Sequence, residues 1–170
     1  PPKIEVIPCC ADLDLFDPNR IDATQLEEKR TALNISNSAK ILGYVGSIGT
    51  WYMLLEMLNC FKVLKEKDPS YKFLFVTGEQ PESILNIAKT KSIDPEDIII
   101  TSCLHKEVPL YISLFDVSVF FIRPTYSKKA SSPTKQGEIM AMGVPLICNA
   151  GVGDTDKVVL DYKAGVVLQE

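Results

Sequence analysis

The sequence predicts an α/β fold, an open parallel sheet of about six strands with helices on both faces, and two patterns carry that expectation. Short continuous apolar runs alternate with longer amphipathic stretches, which is how a parallel sheet buried on both faces reads. Glycine, proline and aspartate mark the junctions where a strand hands over to a helix. At 170 residues the chain has room for one ordinary domain with a sizeable core.

In chain order the strand candidates are Ile41 to Val45, Lys72 to Val76, Asp97 to Thr101, Val117 to Ile122, Pro145 to Cys148 and Gly165 to Leu168. Between them, Thr50 to Lys67 is the clearest helix: Leu54, Met57, Leu58, Phe61 and Leu64 line one face, and Asp68-Pro69 closes it. Pro81 to Thr90 opens on proline and turns Ile84, Leu85 and Ile87 toward the sheet. Val108 to Leu114 follows, then a helix opening at Pro133, then Asp154 to Tyr162 with Asp154 as its expected cap. The alternating unit starts near Lys40. Ahead of it, Ile4 to Ile7 reads as one more short strand, the segment from Ala11 to Arg20 as polar loop, Ile21 to Leu33 as a solvated helix, and Asn34 to Ser38 as a linker.

Composition narrows the function classes. Hydrophobic residues make up 46% and charged residues 24%, the balance of an ordinary globular domain. The net charge of −4, from 18 basic and 22 acidic residues, comes with no basic stripe, so nucleic acid is not an expected partner. No run is long and apolar enough to span a bilayer, and the opening Pro-Pro-Lys-Ile-Glu-Val is not a secretory signal. Cys9, Cys10, Cys60, Cys103 and Cys148 are odd in number and scattered, mostly in apolar runs, which fits reduced core thiols in a cytoplasmic protein. A single histidine and no Cys-x-x-Cys spacing argue against a zinc site, and no metal is expected. The absent initiator methionine and the abrupt end after Gly165 to Glu170 suggest a piece of a longer protein.

Ligands of an open α/β sheet bind outside the carboxyl ends of its strands. The segments to weigh are therefore Gly46-Ser47-Ile48-Gly49, Thr77-Gly78-Glu79, Ser102-Cys103-Leu104-His105, Arg123 to Tyr126, and Asn149 to Asp154. Gly46 to Gly49 would let a backbone approach phosphate closely, although Gly-x-x-Gly is equally at home in a tight turn with no ligand. Glu79 is as compatible with plain solvation as with a contact. His105 could act as a base, touch a ligand or do neither, since no acidic partner for it is readable in sequence. Trp51 and Tyr52 could stack on a base but read better as packing beneath the rim.

The most informative segment runs from Ala130 to Asn149. Ser131 and Ser132 are candidate caps ahead of Pro133, and Lys135 stands in the first turn of the helix, where the positive end of the dipole disfavours it by roughly 0.3–1 kcal/mol. A bound anion would reverse that sign. Unpaired backbone N–H groups, the hydroxyls of Ser131, Ser132 and Thr134, and the Lys135 ammonium together suit a phosphate or pyrophosphate. Glu138, one turn on, suits sugar hydroxyls. The plainer alternative is a capped helix whose Lys135 is solvated or pairs with Glu138 at i+3.

This segment, Ser-Ser-Pro-Thr-Lys-Gln-Gly-Glu-Ile-Met-Ala-Met-Gly-Val-Pro-Leu-Ile, resembles the donor-binding signature of the retaining, family 4 glycosyltransferases of GT-B fold, in which a Glu-x7-Glu helix leads into a Gly-x-Pro strand entry. Glu138, Ala141, Gly143 and Pro145 match its second half. Ile7-Pro8 with Asp12 to Phe16 is similar to the family's inter-domain element, with Cys9-Cys10 where Asn-Gly is usual. Leu42 to Ser47, Phe73 to Gly78 and Val108 to Asp116 are similar to its strand, strand and helix in the same order. Two departures stand out. Ala130 occupies the place of the first glutamate, and Ser47 to Tyr52 lacks the cations that usually follow the first strand; Lys135 is the available replacement.

The resemblance implies a Rossmann-like domain, one half of a GT-B fold, at residues 40–170, truncated at its C-terminus, with residues 1–39 as the connection from an absent N-terminal domain. It implies transfer of a glycosyl group (hexosyl type) from a nucleotide sugar to an unknown acceptor, in polysaccharide or cell-envelope glycan synthesis, without cofactor or metal and with the fragment alone inactive. The implied donor-binding residues are Gly46, Ser47, Ile48, Gly49, Gly78, Glu79, Cys103, Leu104, His105, Ser131, Ser132, Thr134, Lys135 and Glu138. Catalytic groups on the acceptor side, and any peripheral membrane association, would belong to the absent half. Two alternatives remain open: a sugar-nucleotide epimerase of the same architecture, and a non-catalytic nucleotide-binding or interaction domain.

Overall fold

The computed structural model of the protein describes residues 2–5 and 7–169. Six parallel strands form one sheet in the order β3-β2-β1-β4-β5-β6: β1 (Lys40–Val45), β2 (Tyr71–Val76), β3 (Ile98–Thr101), β4 (Val117–Phe120), β5 (Leu146–Asn149) and β6 (Gly165–Leu168). The helices are α1 (Ala23–Ala32), α2 (Leu54–Lys67), α3 (Pro81–Thr90), α4 (Val108–Ile112), α5 (Thr134–Ala141) and α6 (Thr155–Asp161). Strands wind outward from β1 in one direction and from β4 in the other, so the β1/β4 pair is the topological switch point, where such sheets bind their ligands.

The central strands read as apolar runs because both faces are covered: Ile41, Leu42, Tyr44, Phe73, Leu74 and Phe75 are all fully buried. Amphipathic α2 sends Leu54, Met57, Leu58 and Phe61 into this core. Gly43 is set in the middle of β1 because the Phe115 ring lies where its Cβ would be. The Asp116 carboxylate accepts the Ile41 N–H at 2.7 Å, and the Ser118 hydroxyl donates to the Gly43 carbonyl at 3.0 Å, so β4 is fastened to β1 by side chains as well as by pairing.

Several boundaries differ from expectation, each for a local reason. The short strand expected at Ile4 to Ile7 does not form across Ile4, Glu5 and Ile7, where no neighbouring strand supplies a ladder; Val6 lies outside the described residues. Helix α2 starts at Leu54 and not at Thr50, because Tyr52 bridges Ile122 and the Met53 N–H donates to the Phe121 carbonyl, which keeps residues 51–53 against β4. Helix α1 occurs within Ile21 to Leu33, capped by Asp22, and buries no residue. Asp154 precedes α6 but makes no side-chain cap. Of the five cysteines only Cys148 is buried; Cys9 and Cys10 are exposed, which corrects the expectation of core thiols there. Among the described residues no helix is long and apolar enough to cross a membrane.

Asn149, at the end of β5, ties that strand end to the chain just after its neighbour β4. Its carboxamide oxygen accepts the Ile122 N–H at 2.8 Å, and its amide donates to the Ile122 carbonyl at 2.9 Å. Asn149→Ala leaves both backbone groups unpaired in a partly buried place, so urea unfolding is expected to show a loss of about 1–3 kcal/mol.

Candidate functional site

Three of the five rim loops line one hollow, and a second hollow lies at the start of α5. The first, about 490 Å³, is lined by Gly46, Ser47, Gly78, Glu79, Cys103 and His105 among others. The second, about 390 Å³, is lined by Trp51, Tyr52, Lys128, Ser131, Ser132 and Thr134 together with Ile122 and Pro133. Ile48 joins the first through its N–H, which donates to the Glu79 carboxylate at 3.3 Å and ties the β1 loop to the β2 loop. Glu79 is thereby more than a solvated end of a strand. Gly49 and Leu104 line neither hollow; Leu104 is exposed and its N–H donates to Glu107.

Lys135 lies at the junction. Its ammonium is 3.8 Å from the centre of the Tyr52 ring and 4.4 Å from that of Tyr44, and it donates to the Tyr44 hydroxyl at 3.1 Å. Gly46, at φ +115°, lets it come this close: a Cβ there would stand 2.8 Å from the Lys135 nitrogen. Among the described residues no carboxylate lies within 4.0 Å of this ammonium, so the expected alternative of a solvated or Glu138-paired lysine is not what forms. Burial pushes Lys135 down to about 7, and Glu138 acts more weakly in the opposite direction. Burial also raises the Tyr44 and Tyr52 phenols, which stay protonated near neutral pH.

Helix α5 begins at Thr134, with Pro133 as the cap residue, one residue later than proline at the first helical position predicts. Neither serine caps it. The Ser132 hydroxyl instead accepts the Cys9 N–H at 2.9 Å, which pins the N-terminal segment to the rim, and the Gln136 N–H turns back to the Pro133 carbonyl. With no side-chain cap, the N–H groups of Thr134 and Lys135 have no hydrogen-bond partner among the described residues.

Glu138, three residues further along α5, reaches His105 at the first hollow. Its side chain is only 14% exposed and its Oε1 lies 3.7 Å from Nε2 of His105, a contact that becomes an ion pair only when the imidazole is protonated. His105, 69% exposed on its side chain, also meets the buried Phe16 ring edge-on at 5.8 Å between centroids. The acidic neighbour that sequence could not find for His105 thus comes from α5. Burial, with Glu107 adding to it and Lys29 opposing it, raises the Cys103 thiol.

Sequence reasoning missed Tyr44 altogether and set Tyr52 aside as packing. Strand burial concealed the first, and the second packs and contacts Lys135 at once. Lys128, over Trp51 at 4.6 Å, was missed too; the run Lys128-Lys129 beside an exposed aromatic is the signal that could have found it. No cluster of three or more metal-ligating side chains exists among the described residues.

The family model described as glycosyl transferases group 1 matches residues 25–170. No curated protein matches the chain. Among solved structures the fold is similar to WaaG, a glycosyltransferase involved in lipopolysaccharide biosynthesis, at 15% identity and a TM-score of 0.73 over 98% of this chain and 43% of that one. It is also similar to Anabaena HepE, solved with UDP and glucose, at 13% identity and a TM-score of 0.69 over 94% of this chain and 41% of that one. The C-terminal domain of LpcC from Francisella tularensis aligns at 18% identity and a TM-score of 0.65, over 94% of this chain and 80% of that domain. The chain spans less than half the length of the first two. With the match running through both hollows and the α5 junction, the chain belongs to the glycosyl transferases group 1 family and has the Rossmann-like α/β fold of a GT-B domain.

Proposed function

We propose that this chain is the donor-binding half of a retaining glycosyltransferase, which holds a nucleotide sugar while its glycosyl group passes to an acceptor bound by a preceding domain. The observation that carries the reading is Lys135: a half-buried ammonium with no carboxylate partner among the described residues, held by two tyrosine rings where the β1 glycine turn meets the start of α5. A desolvated, unpaired cation is costly unless an anion completes it.

On this reading the nucleoside occupies the hollow at Gly46, Ser47, Gly78, Glu79 and Cys103 to His105, with Gly49 giving the turn its freedom. The diphosphate lies against Lys135, Thr134, Ser131 and Ser132, and Glu138 receives ribose hydroxyls. The protein's chemical contribution is electrostatic: the lysine and the α5 N–H groups stabilise the charge that develops on the departing diphosphate, with no metal needed. Residues 1–39 connect to the acceptor domain and residues 40–170 form the donor domain. The lengths of WaaG and HepE, more than twice the part aligned here, support such a second half. Hexosyl transfer in envelope or polysaccharide glycan synthesis, on the cytoplasmic side of a membrane, is the setting that fits.

Calorimetric titration with UDP, GDP and ADP tests this. One of the three is expected to bind in the micromolar to millimolar range, with no turnover of the corresponding nucleotide sugar by this chain alone. Absence of heat with all three at millimolar concentration overturns the donor-site assignment.

A further inference from the structure

Between Arg123 and Lys135 the chain carries four basic residues, Arg123, Lys128, Lys129 and Lys135, and no acidic one, although its overall charge is −4. This segment is therefore electropositive on an acidic protein. Lys135 is accounted for by the junction described above. Lys128 is not.

Lys128 belongs to the second hollow. Its ammonium is 4.6 Å from the centre of the Trp51 ring, and its backbone is held on both sides: the N–H donates to Thr125, while the carbonyl accepts from Ser131 at 3.1 Å and from Gly153 at 3.0 Å. Its position is thus built into the loop and is not that of a free surface lysine. An aromatic face attracts a cation but accepts no conventional hydrogen bond, so the three ammonium donors are left for another group. Among the described residues no carboxylate lies within 4.0 Å of Lys128, and the Ser131 and Thr134 hydroxyls beside it make no hydrogen bond. The hollow holds donors and hydroxyls but no carboxylate.

Sugar hydroxyls are well served by carboxylates; this lining offers a cation instead. We infer that the hollow between Trp51 and the start of α5 binds the anionic group of a charged sugar, a carboxylate or a phosphate ester, with Lys128 as its counter-ion. On the donor-site reading the diphosphate takes the α5 side of this hollow, at Ser131, Ser132 and Thr134, so this group would sit at its Trp51–Lys128 end, next to the diphosphate, on the sugar being transferred or on the one receiving it. That placement rests on the donor-site reading.

Trp51 is the only tryptophan, so its fluorescence reports on this hollow alone. Titration of the chain with glucose, glucuronate and glucose 6-phosphate is expected to give a saturable change with one or both charged sugars, at concentrations where glucose gives none. The arm that responds tells carboxylate from phosphate ester. Lys128→Ala should weaken that response at least about tenfold, as loss of a charge-assisted contact does, while calorimetric affinity for the nucleoside diphosphate stays within about threefold. Equal responses to all three sugars, or an undiminished response in Lys128→Ala, overturns the inference. If the charged sugars respond but no nucleoside diphosphate binds, the donor-site reading falls and the anion site stands.

Discussion

Lys135→Met is expected to weaken nucleoside diphosphate binding by roughly ten- to hundredfold while leaving the fold as stable as before or slightly more so. The loss follows from removing a charge-assisted contact, about 1–3 kcal/mol. The retained stability follows from the setting: the ammonium is desolvated between Tyr44 and Tyr52 without a carboxylate partner among the described residues, and methionine fills similar space without that penalty. Binding and thermal unfolding measured on the same variant separate a lost contact from a lost fold. Unchanged affinity would return Lys135 to a packing role.

The same lysine gives binding a pH dependence whose sign can be worked out. In the free protein burial holds it at about 7, and a bound diphosphate favours the charged form and raises it. Below about pH 7 the lysine is protonated in both states and affinity is flat on its account. Above that, binding must take up a proton, so affinity falls as pH rises from about 7 toward the raised value. Titrations at pH 8 in buffers of different ionisation enthalpy should show close to one proton taken up, and Lys135→Met should abolish it. Stability runs the other way: the unfolded chain, with an ordinary lysine, binds more protons between about pH 7 and 10, so this group's contribution to folding improves across that window.

The second large effect is structural. Gly43→Ala puts a methyl into the space of the Phe115 ring, which is itself buried and enclosed by core, and a loss of about 3 kcal/mol or more in urea unfolding is expected. A smaller side chain at 115 should relieve the clash, so Gly43→Ala combined with Phe115→Leu is expected to be less destabilised than the sum of the two single changes by about 1–3 kcal/mol. Strict additivity would mean that the two positions do not compete for one space.

The order of strands and helices was legible because six apolar runs and their intervening periodicities are local properties of the chain. Boundaries set by long-range contacts were not. The early start read for α2 at Thr50 ignored the Tyr52–Ile122 bridge, which joins residues seventy apart, and the cap roles read for Ser131 and Ser132 ignored Cys9, whose N–H takes the Ser132 hydroxyl. Lys135 stands out in the sequence because its position contradicts the helix dipole, a conflict that is local. Its two tyrosine neighbours were invisible, since the aromatic contacts come from β1 and from the loop after it. The proximity of Glu138 to His105 was likewise a matter of where α5 lies and not of spacing.

The ammonium that meets the glycine turn after β1 arrives from α5, about ninety residues further along the chain. Loops on both sides of the β1/β4 divide converge on one spot, so either can supply a cation to it. On the proposed donor-site reading, a search confined to basic residues behind the first strand would record the counter-ion as missing here, although Lys135 brings an ammonium to the spot from the opposite wing of the sheet.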